Sequence, residues 1–397
     1  MLGRRRLLLI GILLFTLASI LCAAAPTLGM LIGTRALQGV GAAIMMALTL
    51  ALVGETVSKA RTGSAMGLLG TMSAIGTALG PSLGGVLIAG FGWQALFLAC
   101  VPLGGLTWVL AYRYLPAAGQ ARALERGAFD PLGTLLLALT LLAYGLAMTL
   151  GRGHFGLLNA GLLLAALMAA GLFVWVEARV GAPLIRLALF RDGALSGSLA
   201  MSALVSTVMM ATLVVGPFYL AHGLGLGTFA VGLAMSLGPC VTALSGVPAG
   251  RIADRLGVRP MILAGLGAMV LGCLMLALLP ASLGLGGYLA PIVVITLGYA
   301  TFQTANNTAV MSEVGAEQRG VISGLLNLSR NLGLITGASL MGALFAAVTG
   351  DLTTASAEAV ASGMGFTFAL AAGLVLMAIL VALLSQQRRW RALDSLA

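Results

Sequence analysis

The chain has 397 residues, of which 60% are hydrophobic and 8% charged. Ordinary soluble domains carry about 25% charged residues, so a water-soluble globule of this length is excluded. The net charge of +10 does not point to nucleic acid, because the basic residues are scattered through short loops between apolar runs.

Twelve apolar segments follow one another: 7–25, 28–53, 63–89, 94–115, 131–150, 155–176, 195–221, 228–250, 260–280, 286–311, 321–349 and 363–385. Each is long enough to span a bilayer, which takes about 20 apolar residues. Each is expected to be helical, because lipid offers no partner to an open backbone. The first segment imitates a signal peptide, with Arg4 to Arg6 before it and Cys22 followed by Ala23, Ala24 and Ala25 at its end. Pro26 is a poor residue to follow a cleavage site, and the segment repeats the entry to an internal helix, so it is read as a span. The cysteines Cys22, Cys100, Cys240 and Cys273 lie in apolar runs without metal-ligand spacing and read as small core hydrophobes.

Loop charge sets the topology. Alternate loops hold 18 of the 21 basic residues, from Arg4–Arg6 at the start to Arg388, Arg389 and Arg391 at the end. The opposite loops hold only Arg152, while Arg35 and Arg330 fall inside segments. This alternation predicts an even number of spans with both termini in the cytoplasm.

The chain also repeats itself. Leu256 to Gly265, LGVRPMILAG, matches Leu2 to Gly11, LGRRRLLLIG, with Met1 in the place that Arg255 holds in the later copy. Gly76 and Gly80 fall in register with Gly333 and Gly337, and Gln38 is matched to Gln303. Parallel repeats of helical bundles are a transporter architecture. Eight helices separate the two copies, so one pair, 131–150 and 155–176, is surplus to two six-helix halves. The expected organisation is an N-terminal four-helix bundle (1–116), an inserted helix pair with cytoplasmic linkers (117–194) and a C-terminal six-helix bundle (195–397). The linker PLIRLALFRD, Pro183 to Asp192, is expected to lie as an amphipathic segment on the anionic inner leaflet.

Several motifs in order carry a family resemblance. Gly250-x3-Asp254-Arg255-x-Gly257-x-Arg259 resembles the cytoplasmic loop motif of the major facilitator superfamily. Arg35-x2-Gln38-Gly39-x-Gly41-x-Ala43 is similar to its fourth-helix motif, and Gly76-x3-Gly80-Pro81-x2-Gly84-Gly85 resembles the fifth-helix motif associated with export. Gln303-Thr-Ala-Asn306-Asn307, Arg319-Gly320, Ser323-Gly324 and Asn327-x2-Arg330-Asn331-x-Gly333 look like the C-terminal half of the fourteen-helix drug/proton antiporters of the EmrB/QacA type. The resemblance implies a multi-pass protein of the cytoplasmic membrane that exports amphiphilic drugs or metabolites by proton antiport, with alternating access. It implies no cofactor beyond the proton gradient; a periplasmic or outer-membrane adaptor is left open. Against that pattern the first two family helices are missing, and with them the aspartate tied to proton coupling. A misassigned start or a truncated gene are the two explanations. The competing readings are a non-transporting fragment and an uptake symporter of the same superfamily. No His/Asp/Glu or Cys/His cluster suggests an enzyme or a metal site.

The candidate residues follow. Arg35 lies about 10 Å from the outer end of its helix at 1.5 Å per residue. It either lowers the pKa of a nearby carboxylate or meets an anionic group, or it fixes packing through carbonyls. Gln38 and Gly39 share its motif. No Asp or Glu is expected deep in a segment: Glu55 and Glu313 sit near segment ends, and Glu177 follows one. The Gly76, Gly80 and Gly84 ladder lets backbones approach closely, and Pro81 beside Gly85 adds a kink, which together suit a gating helix. Asp254 is read as a latch that accepts from backbone N–H groups where the ninth helix begins and pairs with neighbouring arginines. Gln303, Asn306, Asn307, Asn327, Arg330 and Asn331 either line a cavity or bond between helices.

Overall fold

The computed structural model describes residues 3–58, 61–115, 130–150, 156–181, 183–315, 318–350 and 355–394. Among these residues there is no strand, and twelve helical segments follow in order. They are α1 (Arg4–Ala23), α2 (Leu28–Thr56), α3 (Thr62–Phe91), α4 (Gln94–Tyr114, jointed at Ala99) and α5 (Pro131–Thr149). The next are α6 (Leu157–Glu177), α7 (Gly193–Phe218, prolonged by the π-turn Tyr219–Gly223) and α8 (Thr228–Leu256). Last come α9 (Val258–Leu278), α10 (Gly284–Glu313), α11 (Arg319–Thr349) and α12 (Ala357–Asp394). These are the twelve expected segments, mostly lengthened by a turn at the ends. Eleven contain an apolar stretch of membrane-crossing length among their described residues. The other, α3, is 30 residues long but includes residues whose surroundings are not described.

Local chemistry explains where the helices start and stop. Thr27, Asp130 and Asp192 each accept a hydrogen bond from an N–H in the first turn of the helix that follows. The joint between α8 and α9 is a single glycine, Gly257, with φ at 87° and ψ at 161°, a conformation open to glycine but not to side-chain-bearing residues. The outward helix faces are apolar: Leu157 is 93% exposed, Phe229 85% and Leu244 79%. Such surfaces belong against hydrocarbon, and the chain is a multi-pass membrane protein.

The contacts divide the chain into two compact units: Met1–Lys59 with Gly76–Gly127 and Val314–Asn327, and Ala60–Ile75 with Ala128–Glu313 and Leu328–Ala397. In the first unit Leu8, Ile12 and Leu48 form a core with Trp108 against it. There α1 and α2 cross with almost nothing between them: a Cβ on Gly11 would lie 2.6 Å from Ile44, and one on Gly41 2.7 Å from the Phe15 nitrogen. In the second unit Leu266, Met269, Phe302 and Phe368 are completely buried. Here α9 and α10 repeat the crossing: a Cβ on Gly265 would lie 2.7 Å from the Gly298 oxygen, and one on Gly298 2.6 Å from the Gly265 oxygen.

The repeat is therefore visible in packing, with Gly11 equivalent to Gly265 and Gly41 to Gly298. That register corrects one expected match: Gln38, three residues before Gly41, corresponds to Ile295 and not to Gln303. Two amides of the same type suggested the pairing, but the glycine crossing shows where the backbones meet.

The α5–α6 hairpin belongs to the second unit and is pinned at both ends. At one end Asn159 donates to the carbonyls of Ala147 and Leu150. At the other, Asp130 and Glu177 are buried, 7% and 3% exposed. The expectation that Glu177 merely follows its helix is corrected: it is the last residue of α6 and packs inward. Hydropathy reports depth across the bilayer, not lateral burial. Tyr144 shares a hydrogen bond with Thr336 of α11. Among the described residues of the linker after α6, the short 3₁₀ turn Leu187–Arg191 is regular, with Arg186 and Arg191 exposed and Ile185 buried.

Candidate functional site

In the second unit, Asp254 accepts three hydrogen bonds from one distant helix. One carboxylate oxygen accepts from the Gly63 N–H at 2.7 Å; the other accepts from the Ser64 N–H at 2.9 Å and the Ser64 hydroxyl at 2.6 Å. A carboxylate here meets the unpaired first-turn N–H groups of α3 and the positive end of its dipole. Hydrogen bonds of this charged type contribute about 1.5–3 kcal/mol each. The side chain reaches because α8 and α3 touch backbone to backbone. A Cβ on Gly250 would lie 2.3 Å from the Gly63 oxygen, and one on Gly67 2.2 Å from the Gly246 oxygen. Thr71 adds a bond to the Ala243 carbonyl at 3.0 Å.

The latch expected at Asp254 thus holds a different helix. It fastens α3, some 190 residues earlier in the chain, and not the start of α9. Among the described residues no arginine pairs with it; Arg251, Arg255 and Arg259 are exposed. Sequence adjacency suggested the wrong donors, because the nearest free N–H groups belong to a distant helix.

In the first unit, Arg35 donates to the Gln38 side-chain oxygen at 2.7 Å, and the Gln38 amide donates to Ser19 Oγ at 2.7 Å. The guanidinium also sits over the Phe97 ring, 5.6 Å from its centroid. Gln38 is 4% exposed while Arg35 is exposed. The buried amide therefore anchors the arginine through α1 and leaves most of its donors free to meet an anionic or polar group. Among the described residues no carboxylate pairs with Arg35. Gly39 is exposed and has open space where a side chain would be. Ser19 was not singled out in the sequence, where one serine among apolar residues carries no signal.

The six polar residues of α10 and α11 separate by role. Asn306 is completely buried and donates to the Ser198 carbonyl at 3.4 Å, and its own oxygen has no partner among the described residues. Gln303 Oε1 and Arg330 Nε are likewise buried without a partner among the described residues. Buried polar atoms are normally paired, so these three suit an interior that admits water or a polar ligand. Asn327 instead makes one bond within its own helix, donating to the Ser323 carbonyl at 3.0 Å, and one to α2, donating to the Met46 carbonyl at 3.4 Å. Asn307 is half-buried and Asn331 is exposed.

The glycine ladder of α3 is corrected in part. Gly76 and Gly80 have nothing within 4 Å of an added Cβ, while Gly84 would meet Leu96 at 3.3 Å. The close approach on α3 is made by Gly63 and Gly67 instead. Pro81 and Gly85, expected to bend and tighten this helix, lie outside the residues whose surroundings are described.

The model of one family, the Major Facilitator Superfamily, matches residues 1–338. The chain belongs to this superfamily. Among its relatives, multidrug resistance protein Stp of Mycobacterium tuberculosis (strain H37Rv) is 33% identical over 356 residues, covering 87% of this chain and 64% of that protein. The multidrug efflux pump LfrA of Mycolicibacterium smegmatis is 31% identical over 382 residues, covering 94% of this chain and 75% of the pump. The chain thus spans somewhat under two thirds of the length of Stp. In fold it is similar to the human organic anion transporter MFSD10 (TETRAN), with a TM-score of 0.67 at 16% identity, covering 96% of this chain and 77% of that one. The superfamily fold accounts for the parallel repeat seen in the two glycine crossings.

Proposed function

We propose that the chain serves to export small amphiphilic compounds across the cytoplasmic membrane by proton antiport, in the manner of the fourteen-helix drug/proton antiporters, with both termini in the cytoplasm. The observation that carries this reading is the Asp254 clasp. One side chain fastens two helices end to side through three hydrogen bonds, an attachment that a transport cycle can make and break without disturbing an apolar core. Likeness to a multidrug resistance protein and a multidrug efflux pump over most of the chain supports export over uptake. Arg35, held by Gln38, is the residue assigned to charge recognition in the transport path, and Gln303, Asn306 and Arg330 are assigned to the substrate-facing interior. The parts of the cycle follow the expected division into residues 1–116, 117–194 and 195–397.

The test is dye and drug accumulation in a pump-deficient bacterial host producing the chain, with membrane insertion confirmed. Accumulation of amphiphilic dyes should fall several-fold, and a protonophore should abolish the difference. Unchanged accumulation across a broad panel would overturn export. A difference that survives the protonophore would overturn proton coupling.

A further inference from the structure

Two carboxylates meet at the inner end of the α5–α6 hairpin, each with one oxygen unpartnered among the described residues. Asp130 caps α5, one oxygen accepting from the Gly133 N–H at 2.8 Å. Glu177 ends α6, one oxygen accepting from the Ile185 N–H at 3.3 Å, and the Leu184 backbone also acts on its carboxylate. The remaining oxygens, Asp130 Oδ2 and Glu177 Oε1, are buried without a partner among the described residues. Both side chains are more than nine-tenths buried, at 7% and 3% exposure.

The two free oxygens converge on one point. A Cβ on Gly133 would lie 2.4 Å from Asp130 Oδ2 and 2.5 Å from Glu177 Oε1. They are therefore at most about 5 Å apart, close enough for each charge to disfavour the other. Glycine is what makes this possible, since any side chain at position 133 would fill the space between them.

Among the described residues, no cation answers the pair. The charged group acting on Glu177 is Asp130. Arg179 lies over the Trp175 ring at 4.1 Å. Arg186, Arg191 and Asp192 are exposed, and Asp192 caps the next helix through Ala194. Arg122, Glu125 and Arg126 of the preceding linker lie outside the described residues. Two ionised carboxylates this close and out of water are costly, and the usual resolution is one proton held between them.

We infer that Asp130 and Glu177 form a carboxyl dyad that binds one proton between Asp130 Oδ2 and Glu177 Oε1, with Gly133 as the gap that lets the oxygens meet. The proton comes from bulk water, and its binding leaves the dyad with a single negative charge. Through Ile185 the dyad also fastens the linker that follows α6. The inference concerns these two carboxyls alone, whatever compound the chain carries, so it stands or falls independently of the export reading.

The test is infrared spectroscopy of the full chain purified in detergent at neutral pH, looking for the carbonyl stretch of a protonated carboxyl. One such group per chain is expected, lost in Glu177→Gln and also in Asp130→Asn. Either variant alone suffices should the other fail to accumulate. Raising the pH should remove the band in the wild type, and hydrogen exchange at Ile185 should then rise several-fold beyond its intrinsic increase. No protonated carboxyl in the wild type would overturn the inference, as would a band that survives in both variants. Loss of the band on adding sodium or magnesium at fixed pH would also overturn it, by assigning the site to a metal cation.

Discussion

Helices α3 and α11 carry the same row of glycines and use opposite halves of it. Gly63, Gly67, Gly76 and Gly80 match Gly320, Gly324, Gly333 and Gly337 position for position. On α3 the first two are in contact: added Cβ atoms would lie 2.7 Å from the Gly250 oxygen and 2.2 Å from the Gly246 oxygen, while Gly76 and Gly80 face open space. On α11 the pattern inverts. Gly320 and Gly324 are open, whereas Cβ atoms on Gly333 and Gly337 would lie 2.2 Å from the Ala203 oxygen and 2.4 Å from the Thr207 oxygen of α7. A repeated glycine row thus prescribes where a helix can be approached, and the helices that pass by decide where it is. Without the opposing backbone, glycine only weakens the helix it sits in.

The largest effects should come from filling the engaged halves. Gly67→Leu and Gly333→Leu each set a side chain against a backbone carbonyl that cannot give way, so the helices must part. Overpacking of this kind costs about 1–3 kcal/mol and sometimes more, and both variants should lose thermal stability in detergent and much of their folded yield. Gly324→Leu, in the open half of α11, should keep both. Equal losses at Gly67, Gly333 and Gly324 would mean that the open halves are occupied in the folded protein.

A smaller effect should separate glycine contact from clasp. The α3 contact has a second fastening in Asp254, but the positions on α11 that match Gly63 and Ser64 are Gly320 and Val321, and among the described residues no acid holds them. Asp254→Asn keeps the shape but replaces a charged acceptor by a neutral amide, at an expected cost of about 2 kcal/mol. Limited proteolysis after Arg61 should then speed up by up to about thirtyfold, since about 1.4 kcal/mol is tenfold, while the α7–α11 contact keeps its protection. Unchanged proteolysis would mean that the glycine contact alone holds α3.

Much of this architecture can be read from the chain before any coordinates. Hydrophobic length and the loop arginines place all twelve helices. What cannot be read is lateral. The donors to Asp254 lie on a helix some 190 residues away, and no local pattern names them. Glu177 looks like an interfacial residue by position, yet it is buried against Asp130 because Gly133 leaves room. Gln38 and Gln303 share a residue type, but the crossing glycines show that they are not equivalent. Arg35 was recognisable as costly in lipid, while the Ser19 that anchors it through Gln38 was not.

The smallest expected effect is the sharpest test of the comparison. Gly76→Ala adds one methyl where nothing lies within 4 Å, and alanine favours a helix interior over glycine by about 1 kcal/mol. Stability should therefore stay level or rise slightly, whereas Gly333→Ala, the matching change on α11, should lower it because its methyl meets the Ala203 carbonyl. The two midpoints measured side by side should move in opposite directions. Should Gly76→Ala instead lose export while gaining stability, the open half of α3 is engaged only during the transport cycle, and its glycines serve motion where those of α11 serve packing.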